Sequence, residues 1–158
     1  MSLTLALLTF AASAAAEKPR LDMIAFFTGH TRTENVLRVV LHKPVPLIVE
    51  SVGGKGDKGD FVMIDTVHEG DKPVRTRKWI MRPAGPHRMT GALTDATSPV
   101  EIVVSGDSAT IRYTMQGGLK VEQHLQLQAD ERTLSNHVVA KKFGLKFARV
   151  DGTVRKLD

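Results

Sequence analysis

From Arg20 onward, apolar residues recur at every second position in short runs, and each run ends at glycine, proline or a small polar cluster. A period of two belongs to strands with one buried face, and turn signals spaced roughly 8–12 residues apart belong to barrels and sandwiches. No stretch keeps a helical period over helix length. No connection offers the roughly dozen residues that a parallel crossover needs. The chain is therefore predicted to be all-β and antiparallel. Strands are expected over 32–41, 47–52, 61–69, 74–82, 87–93, 100–104, 109–115, 119–127, 134–142 and 143–150. Leu21 to Phe27 reads as a helical turn or lid. Consecutive hairpins favour an up-and-down meander, and closing it removes exposed edges. The expected fold is an up-and-down barrel of eight to ten strands, whose interior holds packed side chains or one ligand.

The chain has 158 residues, about one domain. With 42% hydrophobic and 25% charged residues it is globular rather than disordered. It has no cysteine, which excludes disulfides, thiolate metal sites and a cysteine nucleophile. Residues 1–16 carry no charge, hold an apolar run from Leu3 to Phe10, and end in Ala14-Ala15-Ala16. The run is too short to span a bilayer, and the small residues fit a signal-peptidase site. We expect a secretory signal over 1–16, one domain over 17–158, and a soluble periplasmic or secreted product.

Lys and Arg number 22 against 17 Asp and Glu, a net charge of +5. Export removes nucleic acid as a partner, and the aromatic residues form no stacking motif. The anionic partner left is a lipid surface. Lys141, Lys142, Lys146, Arg149, Arg155 and Lys156 crowd the C-terminal end and are the expected membrane contact. A solvated basic surface is the plainer reading.

Five stretches carry a resemblance: Phe26-Phe27-Thr28-Gly29-His30-Thr31-Arg32; Arg75-Thr76-Arg77-Lys78-Trp79; Thr90-Gly91-Ala92-Leu93-Thr94-Asp95; Met115-Gln116-Gly117-Gly118-Leu119-Lys120-Val121-Glu122-Gln123; and the tail from Lys141-Lys142-Phe143-Gly144 to Arg155-Lys156-Leu157-Asp158. They resemble a bacterial family of exported proteins classed as a domain of unknown function. That family is regarded as lipocalin-like, and many members are predicted lipoproteins. The resemblance runs from about Leu21 to Asp158 and implies a lipocalin- or calycin-like barrel. The chain departs from it in lacking a lipobox cysteine. Family genes often sit beside genes for modifying fatty acyl chains, an association that fixes no mechanism.

The hairpin from Phe61 to Arg82 carries the most chemistry. Alternation puts Phe61, Met63, Asp65, Val67 and Glu69 on one face of its first strand, and Arg75, Arg77, Trp79 and Met81 on one face of its second. Inside a barrel an Arg can hold a carboxylate or phosphate, with Trp and Met along the apolar part. Tyr113, on a face with Ile111 and Met115, can help orient a head group. The expected ligand site is thus Arg75, Arg77, Trp79, Asp65, Met63, Phe61 and Tyr113, for a hydrophobic or amphipathic ligand, a fatty-acyl lipid. Two plainer readings stand beside it: Asp65 pairs with Arg75 or Arg77 as a structural ion pair, or the arginines face outward with Val74, Thr76 and Ile80 inside. No catalytic residue, cofactor or metal site is assigned. The six histidines lack helical ligand spacing, with His30 the one to follow, and there is no Gly-x-Ser-x-Gly elbow or phosphate loop. Competing functions are an envelope protein with a filled barrel acting through its basic surface, and a lipid-modifying isomerase using Asp65.

Overall fold

The computed structural model describes residues 17–158; the expected signal over 1–16 lies outside them. Ten strands run β1 (Gly29–Val39), β2 (Val45–Lys55), β3 (Phe61–Glu69), β4 (Arg75–Pro83), β5 (Arg88–Leu93), β6 (Val100–Ser105), β7 (Ser108–Met115), β8 (Leu119–Leu127), β9 (Thr133–Lys142) and β10 (Leu145–Lys156). Each pairs antiparallel with its neighbours in sequence, and β10 returns to pair with β1, closing the barrel. The closed meander of eight to ten strands expected from periodicity is found. Barrel diameter grows with strand number, and about eight strands already leave room for side chains or one small ligand. Ten therefore leave an interior wider than side chains alone fill.

The two ends of the barrel differ. At one end the chain enters through α1 (Met23–Phe27). Asp22 caps it, its Oδ1 accepting from the Ala25 N–H at 3.0 Å. Leu21, Met23 and Phe26 are buried in the core. Lys156, at the end of β10, donates its Nζ to the carbonyls of Ala25, Phe26 and Thr28. A cation on the last carbonyls of a helix satisfies orphan acceptors and the helix dipole. This end is plugged: Phe61, Met81, Met89, Ile102, Ala109, Leu125, Leu127, Leu134 and Val154 pack beneath the helix as one cluster. The opposite end is formed by the turns β1–β2, β3–β4, β5–β6, β7–β8 and β9–β10, and among the described residues it carries no such plug.

Several predicted boundaries move. Phe143, expected inside a strand, lies in the two-residue β9–β10 turn with Gly144, both at positive φ (51° and 76°). Such a pair matches the twist of a tight hairpin. The last strand runs to Lys156 rather than Val150, because Asp151–Lys156 pair with Thr31–Val36 of β1. Their polar run breaks the alternation, and their partner is remote in sequence. The first strand starts at Gly29 rather than Arg32, and Val40–Leu41 belong to the turn after it. Strand β2 includes Pro46, which sits near its start, where a missing ladder donor is tolerated.

Candidate functional site

Above the plug lies a cavity of about 1200 Å³ reaching the unplugged end. The filled-barrel expectation fails on this point. The hollow follows from strand number and from the inward residues of the upper wall: Leu37, Val39, Val45, Leu47, Val138, Ala140 and Val150. These are too small to meet across ten strands. Their apolar character continues downward through Val49, Met63, Trp79, Ile111, Val121 and Leu125.

The predicted hairpin faces inward. Phe61, Met63, Asp65, Arg75, Arg77 and Trp79 all line the cavity, as does Tyr113 from β7, so the outward reading of the arginines does not hold. Register explains the convergence: Asp65 lies directly across from Arg77 on β4 and from Ser51 on β2. Its carboxylate is buried and accepts three hydrogen bonds. Ser51 Oγ donates to Oδ1 at 2.7 Å, while Arg77 Nη2 (2.9 Å) and Trp79 Nε1 (2.8 Å) donate to Oδ2. The structural pairing of Asp65 with an arginine is therefore present, and it is with Arg77. Pairing and inward placement coexist, because one Asp oxygen takes only part of a guanidinium with five donors. Arg77 Nε is buried with no hydrogen-bond partner among the described residues. The guanidinium carbon sits 5.7 Å from the Trp79 ring centroid, and Tyr113 meets Trp79 edge to face at 6.0 Å. Burial pushes the Tyr113 phenol above its ordinary pKa, against the opposing charge of Arg77, so the hydroxyl is a neutral donor.

The candidates sit at graded depths. Arg75 is at the mouth, half-exposed, bridging Glu69 (3.4 Å) and Asp95 (3.3 Å). Lys72 also binds Glu69. Arg77 and Asp65 come next, Trp79 and Met63 below them, and Phe61 at the plug. Among the described residues lining the cavity below this rim, Asp65 and Arg77 are the charged pair, and they balance each other. The rim is where lysines and arginine gather.

Sequence reasoning missed a second polar group on the far wall. Asn136 Oδ1 accepts from Gln123 Nε2 at 2.7 Å, and Asn136 Nδ2 donates to Asn35 Oδ1 at 3.2 Å. The amides of β9 and β1 meet over Gly152 of β10, where a Cβ would stand 2.0 Å from the Glu34 carbonyl oxygen and 2.3 Å from Asn35 Oδ1. Gln123 breaks an otherwise apolar face of β8, which was the available signal. Asn35 and Asn136 had none, since each needs its remote partner to be satisfied. Ser51 likewise gains meaning through Asp65.

The C-terminal cations do not form one patch. Lys141, Lys142 and Lys146 sit at the β9–β10 end by the mouth, Arg149 is on the outer wall bound to Asp151 at 2.8 Å, and Lys156 is spent on α1 at the opposite end beside Arg155. An antiparallel strand carries its two ends to opposite rims, which sequence crowding hides. His30, the second residue of β1, binds Asp158, whose carboxylate takes the His30 backbone and ring nitrogens at 3.0 and 3.1 Å; it is a seam contact, outside the cavity. Among the described residues no group of three or more His, Asp or Glu is placed to hold a metal.

The family model described as "Protein of unknown function (DUF3833)" matches residues 6–156. The chain belongs to this family. Solved structures share the DUF3833 chain's barrel. A protein of unknown function of the DUF3598 family from Nostoc punctiforme superposes with a TM-score of 0.67 at 15% identity, over 93% of this chain and 53% of that one. This chain thus spans about half the length of that protein. The S-type phycobiliprotein lyase CPES from Guillardia theta superposes at 0.64 with 6% identity, over 85% and 91% of the two chains. At such identities the likeness is one of fold: the lipocalin-like barrel expected from the sequence is found. No curated protein matches the sequence.

Proposed function

We propose that this DUF3833 protein binds one amphipathic acyl lipid inside its barrel. The observation that carries the reading is the open, mostly apolar cavity of about 1200 Å³ with a few polar groups placed on its wall. Ligand pockets have this composition, at volumes of roughly 300–1,000 Å³ for drug-sized molecules, so a larger or more extended ligand fits here. Each buried methylene contributes about 0.8 kcal/mol, which makes an alkyl chain the economical occupant of such walls. The head group lies in the upper third. Arg77 offers its unengaged N–H groups to a carboxylate or phosphate oxygen, with Arg75 at the rim above and the Tyr113 hydroxyl alongside. The chain runs down over Trp79 and Met63 toward Phe61. Asp65 holds Arg77 and Trp79 in place and takes no part in bond making. The fold shared with a phycobiliprotein lyase is compatible with a barrel that takes a small ligand. The reading includes an address outside the cytoplasm, tested by cell fractionation.

Trp79 is the one tryptophan of the chain and lines the cavity, so it reports occupancy directly. Titration with cis-parinaric acid is expected to give saturable energy transfer from Trp79 at one equivalent. In Arg77→Met affinity for a fatty acid is expected to fall about tenfold or more, the worth of a charge-assisted hydrogen bond. Affinity for the alcohol of equal chain length should change little. Absence of transfer in the wild-type protein, with no lipid in native mass spectra of protein from its own source, would refute the reading.

A further inference from the structure

The barrel's open rim carries apolar side chains where solvated turns ordinarily carry glycine, asparagine or aspartate. Leu41, in the β1–β2 turn, is 99% exposed, and Phe143, in the β9–β10 turn, is 92% exposed. Both hold a left-handed backbone, with φ of 64° and 51°, a conformation that disfavours large side chains. Leu145 beside Phe143 is also exposed. A soluble turn gains nothing from this combination of strain and exposed apolar surface. The two tips are neighbours, because β1 and β10 close the barrel and the Val40 N–H donates to the Phe147 carbonyl at 3.0 Å. Val40 and Phe147 are half-exposed between them.

The charge around these tips has one sign. Residues 39–45 and 141–147 hold Lys43, Lys141, Lys142 and Lys146 and no Asp or Glu. Just below the rim, Lys120, Lys141 and Lys146 lie directly opposite one another across β8, β9 and β10. Like charges in cross-strand register repel. Among the described residues none of these five lysines is in an ion pair, and the nearby Glu122 carboxylate is taken by Arg112 and His124. The row is therefore an unneutralised cationic band under an apolar tip pair, beside the mouth of the cavity.

We propose that this rim docks on an anionic lipid bilayer. Leu41, Phe143 and Leu145 enter the boundary between head groups and acyl chains, and the lysines sit at the level of the phosphates. Apolar side chains with flanking cations are the makeup of interfacial membrane anchors. Docking in this orientation turns the cavity mouth toward the membrane, which makes the bilayer the source or the destination of the ligand. This inference rests on the lipid-binding reading above, and it replaces a membrane contact through the whole C-terminal cluster with one through the rim. A second copy of the chain is the less suitable occupant, since two such lysine bands would face each other.

Flotation with vesicles of phosphatidylglycerol and phosphatidylethanolamine tests it. The wild-type protein is expected to float with them, to float far less with phosphatidylcholine, and to be released by high salt, which screens the lysine share. Leu41→Ser with Phe143→Ser is expected to lower partitioning about tenfold or more, with the melting temperature unchanged because both side chains are solvated. Lys141→Glu with Lys146→Glu is expected to abolish the preference for anionic vesicles. Parinaric acid titration without vesicles separates the two ideas, for neither Leu41 nor Phe143 lines the cavity. Parinaric binding without flotation overturns the docking surface alone. Flotation without parinaric binding overturns the cavity reading and leaves the surface standing. Equal flotation of wild type and tip variant, or a dimer that the tip substitutions dissociate and that ignores vesicles, also overturns the proposal.

Discussion

Asp65 is a carboxylate taken out of water and repaid entirely by protein donors: Ser51, Arg77 and Trp79. Removing one partner of a buried pair strands the other, at a cost of about 3–5 kcal/mol for full burial. Arg77 keeps some access to the cavity, its side chain 17% exposed, so Asp65→Ala is expected at the low end, about 3 kcal/mol. Denaturant melts of Asp65→Ala, Arg77→Met and the double variant check this. The double variant should recover a large part of the loss, because no stranded charge remains. Simple addition of the two single losses would mean that Asp65 and Arg77 act independently. At this scale the sequence was partly legible. Alternation alone put Asp65 on one face of the first hairpin strand and Arg77 with Trp79 on one face of the second, but whether those faces turn inward became legible only in the structure. It did not say which arginine Asp65 takes, and it left the Asn35–Asn136–Gln123 amides unseen. Asn35 and Asn136 are 101 residues apart, and a polar residue in a strand gives no sign of inward placement until its partner is known.

Strands and turns were legible where their signals are local. Glycine- or proline-bearing turns marked most hairpins, and closure of the meander was expected, whereas the stretch Asp151–Lys156 that completes the β10–β1 seam, with no hydrophobic alternation and a partner remote in sequence, was not legible. The β3–β4 turn shows what such an element adds to the site. It brings Glu69 between Lys72 and Arg75. Burial alone would raise the Glu69 pKa, but the hydrogen bonds and charges of Lys72 and then Arg75 outweigh it and hold the carboxyl below the usual range. A folded-state pKa lowered in this way gives stability that is present above the unfolded value. It is lost as the pH falls through the lowered folded value. Thermal melts from neutral pH down to about pH 3, below the ordinary glutamate value, should show wild type above Glu69→Gln at neutral pH. The gap should close on acidification. A gap that stays constant would remove Glu69 from the rim's ionic clasp.

At the largest scale, residues 17–158 form a barrel with a packed floor and a cavity above it, and that division makes its own prediction. Ala109 sits in the floor, 2% exposed, while Val138 lines the cavity wall opposite the Arg77 hairpin. Insertion of a phenyl ring has opposite consequences at the two places. In the floor every direction is occupied, so Ala109→Phe forces rotamers and backbone aside at a cost of about 1–3 kcal/mol or more. In the cavity the ring enters open space and gains apolar contact, so Val138→Phe should leave the unliganded stability within about 1 kcal/mol of wild type, as a substitution that neither strands a polar group nor overpacks. Ligand response should separate them in the reverse sense. A ligand that binds only the folded state raises the melting temperature by an amount set by its concentration over its dissociation constant. Parinaric acid should therefore raise the wild-type melting temperature and leave that of Val138→Phe nearly unmoved, because the ring occupies the volume that the acyl chain needs. If Val138→Phe is as damaging as Ala109→Phe, the upper storey is filled in solution. If it keeps the full ligand response, the chain binds somewhere other than the barrel interior.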